Sequence, residues 1–81
     1  MNLVISDELR HKLNEMLILD EDLEAVIEHS ERTTQYLKKS NGDCIGHLRQ
    51  GCVTYWAVWR REGEQIHLLN AYSHRMVIEG E

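Results

Sequence analysis

The segment from Asn70 to Arg75 holds the densest group of side chains that could bind a ligand or move a proton. Side chains alternate between the two faces of a strand, so this group divides in two. One face receives Asn70, Tyr72 and His74, and the other receives Ser73 and Arg75. The serine and the histidine are thereby separated, so the segment does not predict a nucleophile, base and orienter triad.

Two interpretations of this segment remain. Near Tyr55 or Trp59 it could form a shallow polar pocket with an aromatic wall, of the kind that binds an anion or a peptide. Alternatively, its polar groups satisfy a bulge, while His74 and Arg75 face water or pair with acidic residues. The candidate binding residues are Tyr55, Trp56, Asn70, Tyr72, Ser73, His74 and Arg75. The pattern predicts no catalytic residue.

Cys44, His47 and Cys52 lie close enough in sequence to be weighed as metal ligands. Residues i and i+3 of a strand point to opposite faces, so Cys44 and His47 do not converge unless the strand is broken. No paired C-x-x-C spacing accompanies them. The strand rise separates the two cysteines by about 13 Å, which disfavours a disulfide. We therefore expect no metal site, no cofactor and two reduced thiols.

The N-terminal half of the sequence predicts two helices. Leu9, Leu13 and Met16 recur at helical spacing after Ser6, a suitable N-cap, which predicts a short helix over residues 6–17. A longer apolar stripe begins after Asp20, another candidate N-cap. Lysines at positions 38 and 39 suit the end of a helix, and the following Ser-Asn-Gly-Asp suits its termination. The second helix is therefore expected over residues 20–39.

The C-terminal half predicts strands over residues 44–49, 52–61 and 65–78, with a bulge or bend near 70–74. Turns at Gln50-Gly51 and at Gly63 would join these strands. The expected architecture is a single α+β domain, residues 1–81, in which two helices precede a three-stranded antiparallel meander. A fourth short strand is expected if the bend is a turn. The long helix should pack on one sheet face.

The second predicted strand carries large apolar side chains on both faces. Val53, Tyr55, Ala57 and Trp59 alternate with Cys52, Thr54, Trp56 and Val58. A sheet with one wet face normally alternates apolar with polar residues, so the second face of this strand should also be covered. The cover could be the first helix, a second copy of the chain or another protein.

Charge and hydropathy limit the classes of partner. The net charge is −5, with nine acidic and two basic residues in positions 1–31 and six basic and two acidic residues in positions 32–62. Because the bases form no continuous stripe, nucleic-acid binding is disfavoured. No run approaches the roughly 20 apolar residues that cross a bilayer, and no leader pattern is present, so we expect a cytoplasmic protein without a membrane partner.

The stretches ILDEDLEAVIEHSERT, GCVTYWAVW and NAYSHRMVI resemble a small, uncharacterised bacterial domain of anaerobes. That domain occurs alone or beside iron–sulfur and flavin pyridine-nucleotide oxidoreductases. The resemblance spans about residues 18–78, and NAYSHRM is its most specific part. It implies an accessory role in a redox system and adds Thr54 to the candidate functional positions above.

The sequence thus favours a non-enzymatic module that binds another protein, or its own copy as a homodimer, through the second face of the sheet. The alternative is a small ligand-binding domain or enzyme that uses the Asn70–Arg75 group. The doubly apolar strand favours the first hypothesis, since no catalytic constellation accompanies it.

Overall fold

The fold is known from a computed structural model that describes residues 2–75. Its elements, in chain order, are β1 (Asn2–Val4), α1 (Asp7–Glu15), α2 (Asp20–Thr33), β2 (Leu37–Lys38), β3 (Cys44–Gln50), β4 (Val53–Glu62) and β5 (Gln65–Arg75). The strands form one sheet in the order β1-β5-β4-β3-β2. β1 is parallel to β5, and the other neighbours are antiparallel.

The predicted meander of three or four antiparallel strands is therefore wrong, although the α+β class agrees with the prediction. The sheet has five strands because two short edge strands, β1 and β2, extend it, and it is mixed because β1 is parallel to β5. The sequence-based prediction included neither edge strand. β1 pairs with residues 65–67, more than sixty positions later in the chain. A pairing between such distant segments has no local sequence signature.

The second helix is shorter than the predicted range 20–39. It ends at Thr33 because Thr34 adopts a left-handed conformation, with φ of 54°. The backbone N–H groups of Thr34 and Gln35 both donate to the carbonyl of Ser30, which closes the helix end. The two lysines expected at the C-terminus of the helix lie instead in β2 and in the turn that follows.

The helix starts follow the sequence more closely. The hydroxyl of Ser6 accepts a hydrogen bond from Leu9 N at 3.2 Å, so the predicted N-cap of α1 is confirmed. α1 nevertheless ends before residue 17, because Leu17 has a φ of 57°. The N-cap position of α2 is Leu19 rather than Asp20, and the Asp22 carboxylate accepts from Leu19 N at 3.1 Å.

Two tight hairpins connect the last three strands. Gln50 pairs with Val53 across a two-residue turn, as do Glu62 and Gln65 across the next. Gly51 and Gly63 occupy the turns with φ of 65° and 62°, a conformation that glycine adopts without strain. The predicted strand ranges differ from the observed ones by one residue at the hairpins, and positions 76–78 lie outside the described residues.

A β-bulge, rather than a bend, interrupts β5. Trp59 pairs with Leu68 and Val58 with Asn70, so Leu69 is the extra residue. The bulge precedes the predicted region 70–74, and pairing with β4 continues without interruption through Arg75. A fourth strand formed by a turn in this region is therefore excluded.

Both helices pack on the same face of the sheet. The buried core joins residues of both helices to strand residues and consists of Leu9, Leu13, Ile18, Leu23, Val26, Ile27, Cys44, Ala57, Trp59, Ile66, Leu68 and Ala71. The predicted contact of the long helix with one sheet face is confirmed. The side chains that alternate with these strand residues point to the opposite side, which we call the helix-free face.

Candidate functional site

A row of three aromatic rings crosses the helix-free face. The sheet register places His47 of β3 opposite Trp56 of β4, and Trp56 opposite Tyr72 of β5. The His47 and Trp56 ring centroids are 4.6 Å apart with planes 26° from parallel, and those of Trp56 and Tyr72 are 5.9 Å apart with planes 14° from parallel. Stacked cross-strand pairs of this kind stabilise a sheet and hold each ring in one orientation.

Aliphatic side chains continue this surface toward β2. Leu37 pairs with Ile45, and Ile45 pairs with Val58, so they form a second row beside the aromatic one. Leu37 is 73% exposed and Tyr72 is 42% exposed, His47 is also exposed, and Ile45, Trp56 and Val58 are half-buried. A continuous surface of aromatic and aliphatic side chains that stays partly open is typical of an interaction site.

An apolar groove of about 470 Å³ lies at the β2 end of these rows. Its floor is formed by Ile45, His47 and Trp56, and its wall by the connection from α2 to β2. The wall residues are Thr34, Gln35, Tyr36 and Leu37. A groove of this size can accept one or two side chains of a partner.

Of the possible covers for the second sheet face, the first helix is excluded. α1 contacts β5, and its buried residues Leu9 and Leu13 belong to the same core as those of α2. The crossing from β1 through α1 to α2 stays on one side of the sheet. Within residues 2–75, no element of the chain lies over the aromatic row.

The seven predicted site residues do not form one pocket. Trp56 and Tyr72 stack on the helix-free face, whereas Tyr55 and Ser73 pair with each other on the opposite side. His74 pairs with Thr54 and is exposed. The predicted pocket wall is also wrong in part, since Trp59 is fully buried in the core.

The two ends of the predicted cluster, Asn70 and Arg75, lie in different environments. The Asn70 amide oxygen accepts from Lys12 Nζ at 3.0 Å and from Ala71 N at 2.9 Å, which ties α1 to the bulge. Arg75 pairs with Val53 at the end of the sheet and is exposed. Asn70 therefore has the structural role that the bulge interpretation assigned to it.

Sequence reasoning weighed His47 only as a metal ligand and missed its place in the aromatic row. The signal that could have found it was the hairpin register. The predicted turn at Gln50-Gly51 is wrong by one residue, since the turn residues are Gly51 and Cys52. With the turn set there, counting back along β3 places His47 directly opposite Trp56. The residues at positions 37 and 45 were missed because β2 was assigned to a helix.

The two cysteines differ in their exposure to solvent. Cys44 is buried opposite Trp59, Cys52 is exposed in the hairpin turn, and both are free thiols. Burial raises the pKa of the Cys44 thiol above its ordinary value, so it stays protonated near neutral pH. In the part of the chain from Asn2 to Arg75, no three His, Cys, Asp or Glu residues are grouped so that they could hold a metal ion.

Ion pairs neutralise the two arginines at the end of β4. Arg60 donates to Asp43 Oδ1 from Nε at 3.0 Å and from Nη2 at 2.6 Å. Arg61 donates from Nε to Glu31 Oε2 at 2.9 Å and from Nη2 to Oε1 at 2.5 Å. The Arg61 hydrogen bonds hold the pKa of Glu31 below its ordinary value. Both guanidinium groups are therefore already paired with a carboxylate.

Comparison of the chain with known protein families, with curated proteins and with solved structures found no match in any of the three. None of the helices within residues 2–75 is both long enough and apolar enough to cross a bilayer. The function is therefore inferred from the chain's own geometry. The helix-free face carries both the aromatic row and the apolar groove.

Proposed function

We propose that this protein is a non-enzymatic interaction module that binds another protein through the helix-free face of its sheet. One observation carries the proposal: both helices pack on one face, while the aromatic row of His47, Trp56 and Tyr72 lies on the other without a covering element among residues 2–75. Aromatic residues held in fixed orientations are the side chains that dominate protein interfaces.

The chemistry of this surface favours a protein over a small molecule. The aromatic row and the groove beside it are open rather than enclosed, and small-molecule sites usually bury most of their ligand. The polar residues expected to form a ligand pocket lie on different faces and do not converge. The sequence resemblance described above makes an oxidoreductase subunit the first partner to test.

Site-specific photocrosslinking in the source cells tests the proposal. The photoreactive residue p-benzoylphenylalanine replaces Tyr72 on the helix-free face in one sample and Leu19 on the helical side in the control. Leu19 is a suitable control because it is also apolar and is 58% exposed. We expect a discrete adduct with one other protein from position 72 and none from position 19.

The identity of the adduct decides between the alternatives. A covalent dimer of this chain from position 72 would show that a second copy covers the face. Equal crosslinking from both positions, or none from position 72, would contradict a specific surface. Loss of the adduct on Trp56→Ala, with the fold retained by circular dichroism, would assign binding to the aromatic row.

A further inference from the structure

Strand β3 is paired along its whole length on one side only. Residues 44–50 all pair with β4. On the other side, β2 pairs with Cys44 and Ile45 and then ends. Residues 46–50 therefore have no strand beside them in the described part of the chain, and this stretch is called the open edge. Natural proteins usually shield such an edge, since it can pair with another chain.

The hydrogen-bond pattern identifies the backbone groups at the open edge. Lys39 N donates to the carbonyl of Asp43 at 2.8 Å, at the start of the β2–β3 pairing. In an antiparallel pair, groups that face one neighbour recur at every second residue. The N–H and C=O groups of His47 and Arg49 therefore point away from β4, toward the space beyond the end of β2.

Two grooves flank the open edge, one on each face of the sheet. The apolar groove over Trp56 lies on the helix-free face. A second groove, of about 350 Å³, lies on the helical side between one stripe of α2 and Leu48. Its α2 residues are Ala25, Glu28, His29 and Arg32. Because side chains of a strand alternate between faces, a strand added at the open edge would fill both grooves.

Charges around the open edge favour an acidic partner. Arg10, Arg60 and Arg61 are each paired with a carboxylate elsewhere in the molecule. In contrast, Arg32 and Arg49, which border the open edge, make no ion pair within residues 2–75. Among residues 2–75, Glu28 is the one carboxylate that lines either groove. An incoming strand with acidic side chains would supply the missing partners.

The other candidates for strand pairing are weaker. At β5, the Asn70 side chain caps the outward N–H of Ala71 and is itself held by Lys12, so the edge is shielded at that residue, and the apolar groove over Trp56 lies beside β3 instead. Pairing of β3 with β3 of a second copy would bring two copies of Arg32 and Arg49 together. That arrangement opposes like charges and leaves the arginines without carboxylates.

We propose that an extended, acidic segment of a partner protein adds to the sheet at residues 46–50 of β3. It pairs with the backbone groups of His47 and Arg49 and places one apolar side chain in the groove over Trp56. This inference rests on the proposed function and specifies its mode of binding, namely β-strand addition.

The test selects random decapeptides displayed on phage against the full chain and synthesises the enriched sequences. We expect these to be acidic, free of proline and alternately apolar. Amide hydrogen exchange by NMR should slow roughly tenfold or more at His47 and Arg49 when such a peptide is bound. The indole N–H resonance of Trp56 should shift, while that of the buried Trp59 should not.

Variants at position 49 separate backbone pairing from charge. Arg49→Pro removes an edge N–H without removing a hydrogen bond to β4, so we expect roughly tenfold weaker peptide binding or worse. Arg49→Gln keeps the N–H but removes the charge, so the further loss of binding in Arg49→Pro relative to Arg49→Gln measures backbone pairing alone. Arg49→Lys keeps both the N–H and the charge and should bind within about twofold of the parent protein. If Arg49→Pro does not fold, the amide exchange of His47 and Arg49 in the parent chain decides whether the peptide pairs with the open edge.

Several results would overturn strand addition. These are the absence of any enriched peptide, enriched peptides without acidic residues, protection at β5 instead of β3, and binding that leaves His47 and Arg49 exchanging freely. A crosslink from position 72 combined with unprotected edge amides would overturn only this inference and leave the proposed function standing. If neither a crosslink nor edge protection is found, both proposals fail.

Discussion

Gly46 of β3 lies directly beneath the side chain of Ser30 on α2. A Cβ atom at position 46 would overlap the Ser30 hydroxyl and would stand 2.9 Å from Cη2 of Trp59. Ser30 and Trp59 are both completely buried, so neither side chain has room to withdraw. This close approach of helix to strand sets how α2 lies across the sheet, and α2 in turn holds the wall of the groove over Trp56.

Gly46→Ala should therefore lower the free energy of unfolding by about 1–3 kcal/mol, since the added methyl group overpacks a rigid contact. Urea denaturation followed by tryptophan fluorescence measures the change. The double variant with Ser30→Ala should recover part of the loss by removing the overlapping hydroxyl, while the close contact with Trp59 remains. An unchanged stability for Gly46→Ala would show that the helix can move off the strand without cost.

Leu17 is the clearest opportunity to stabilise the chain. It follows α1 with a φ of 57° and is 83% exposed, so a branched side chain adopts a left-handed backbone without packing in return. The hydrogen bonds from Leu17 N to Asn14 O and from Ile18 N to Leu13 O form the helix end that glycine usually completes.

Leu17→Gly should raise the free energy of unfolding by about 0.5–1 kcal/mol, since glycine adopts this conformation without steric cost. Thermal and urea denaturation provide the measurement. Leu17→Ala is the matched control, because alanine also removes the exposed side chain but keeps the Cβ atom that strains a left-handed backbone. A stabilisation of equal size in the control would contradict the assignment to left-handed strain.

The ion pair between Glu31 and Arg61 predicts a loss of stability in acid. The folded pKa of Glu31 is below its ordinary value of 4.5, so the unfolded chain binds the proton more readily. The contribution is complete above pH 4.5 and is lost as the pH falls through the folded pKa. Unfolding free energies measured across this range should decline more steeply for the parent protein than for Glu31→Gln.

Glu21→Gln provides the control for this measurement, because Glu21 makes no ion pair within residues 2–75. Its pH dependence should remain close to that of the parent protein. If Glu31→Gln also keeps the parent slope, the Arg61 pair does not contribute to folding in solution. Added salt should reduce the difference between parent and Glu31→Gln, because both partners are partly exposed.

The two thiols should differ in reactivity. Cys52 is exposed and should react promptly with a thiol reagent at neutral pH, whereas Cys44 is buried and burial raises its pKa. We expect one equivalent of rapid labelling of the native protein and a second only after denaturation. Cys52→Ser should abolish the rapid phase, and rapid labelling of Cys44 in that variant would contradict its burial.

The local pattern of the sequence was sufficient for those elements whose signals lie within a few residues. The N-cap at Ser6, the two hairpin turns at Gly51 and Gly63, and the apolar character of both sides of β4 all follow from neighbouring residue types. Such features are set by backbone preferences and by the alternation of side chains, which need no knowledge of the rest of the chain.

Tertiary structure decided the features that depend on distant segments. Leu37 fits a helical stripe and a strand equally well, and only its pairing with Ile45 selects the strand. Likewise, no local signal indicated that α1 would share the core with α2, since burial of Leu9 and Leu13 was compatible with either face of the sheet. The row of His47, Trp56 and Tyr72 stays open because both helices pack on the other face of the sheet. That choice of face depends on the summed free energy of many contacts between elements remote in sequence, which no local pattern contains.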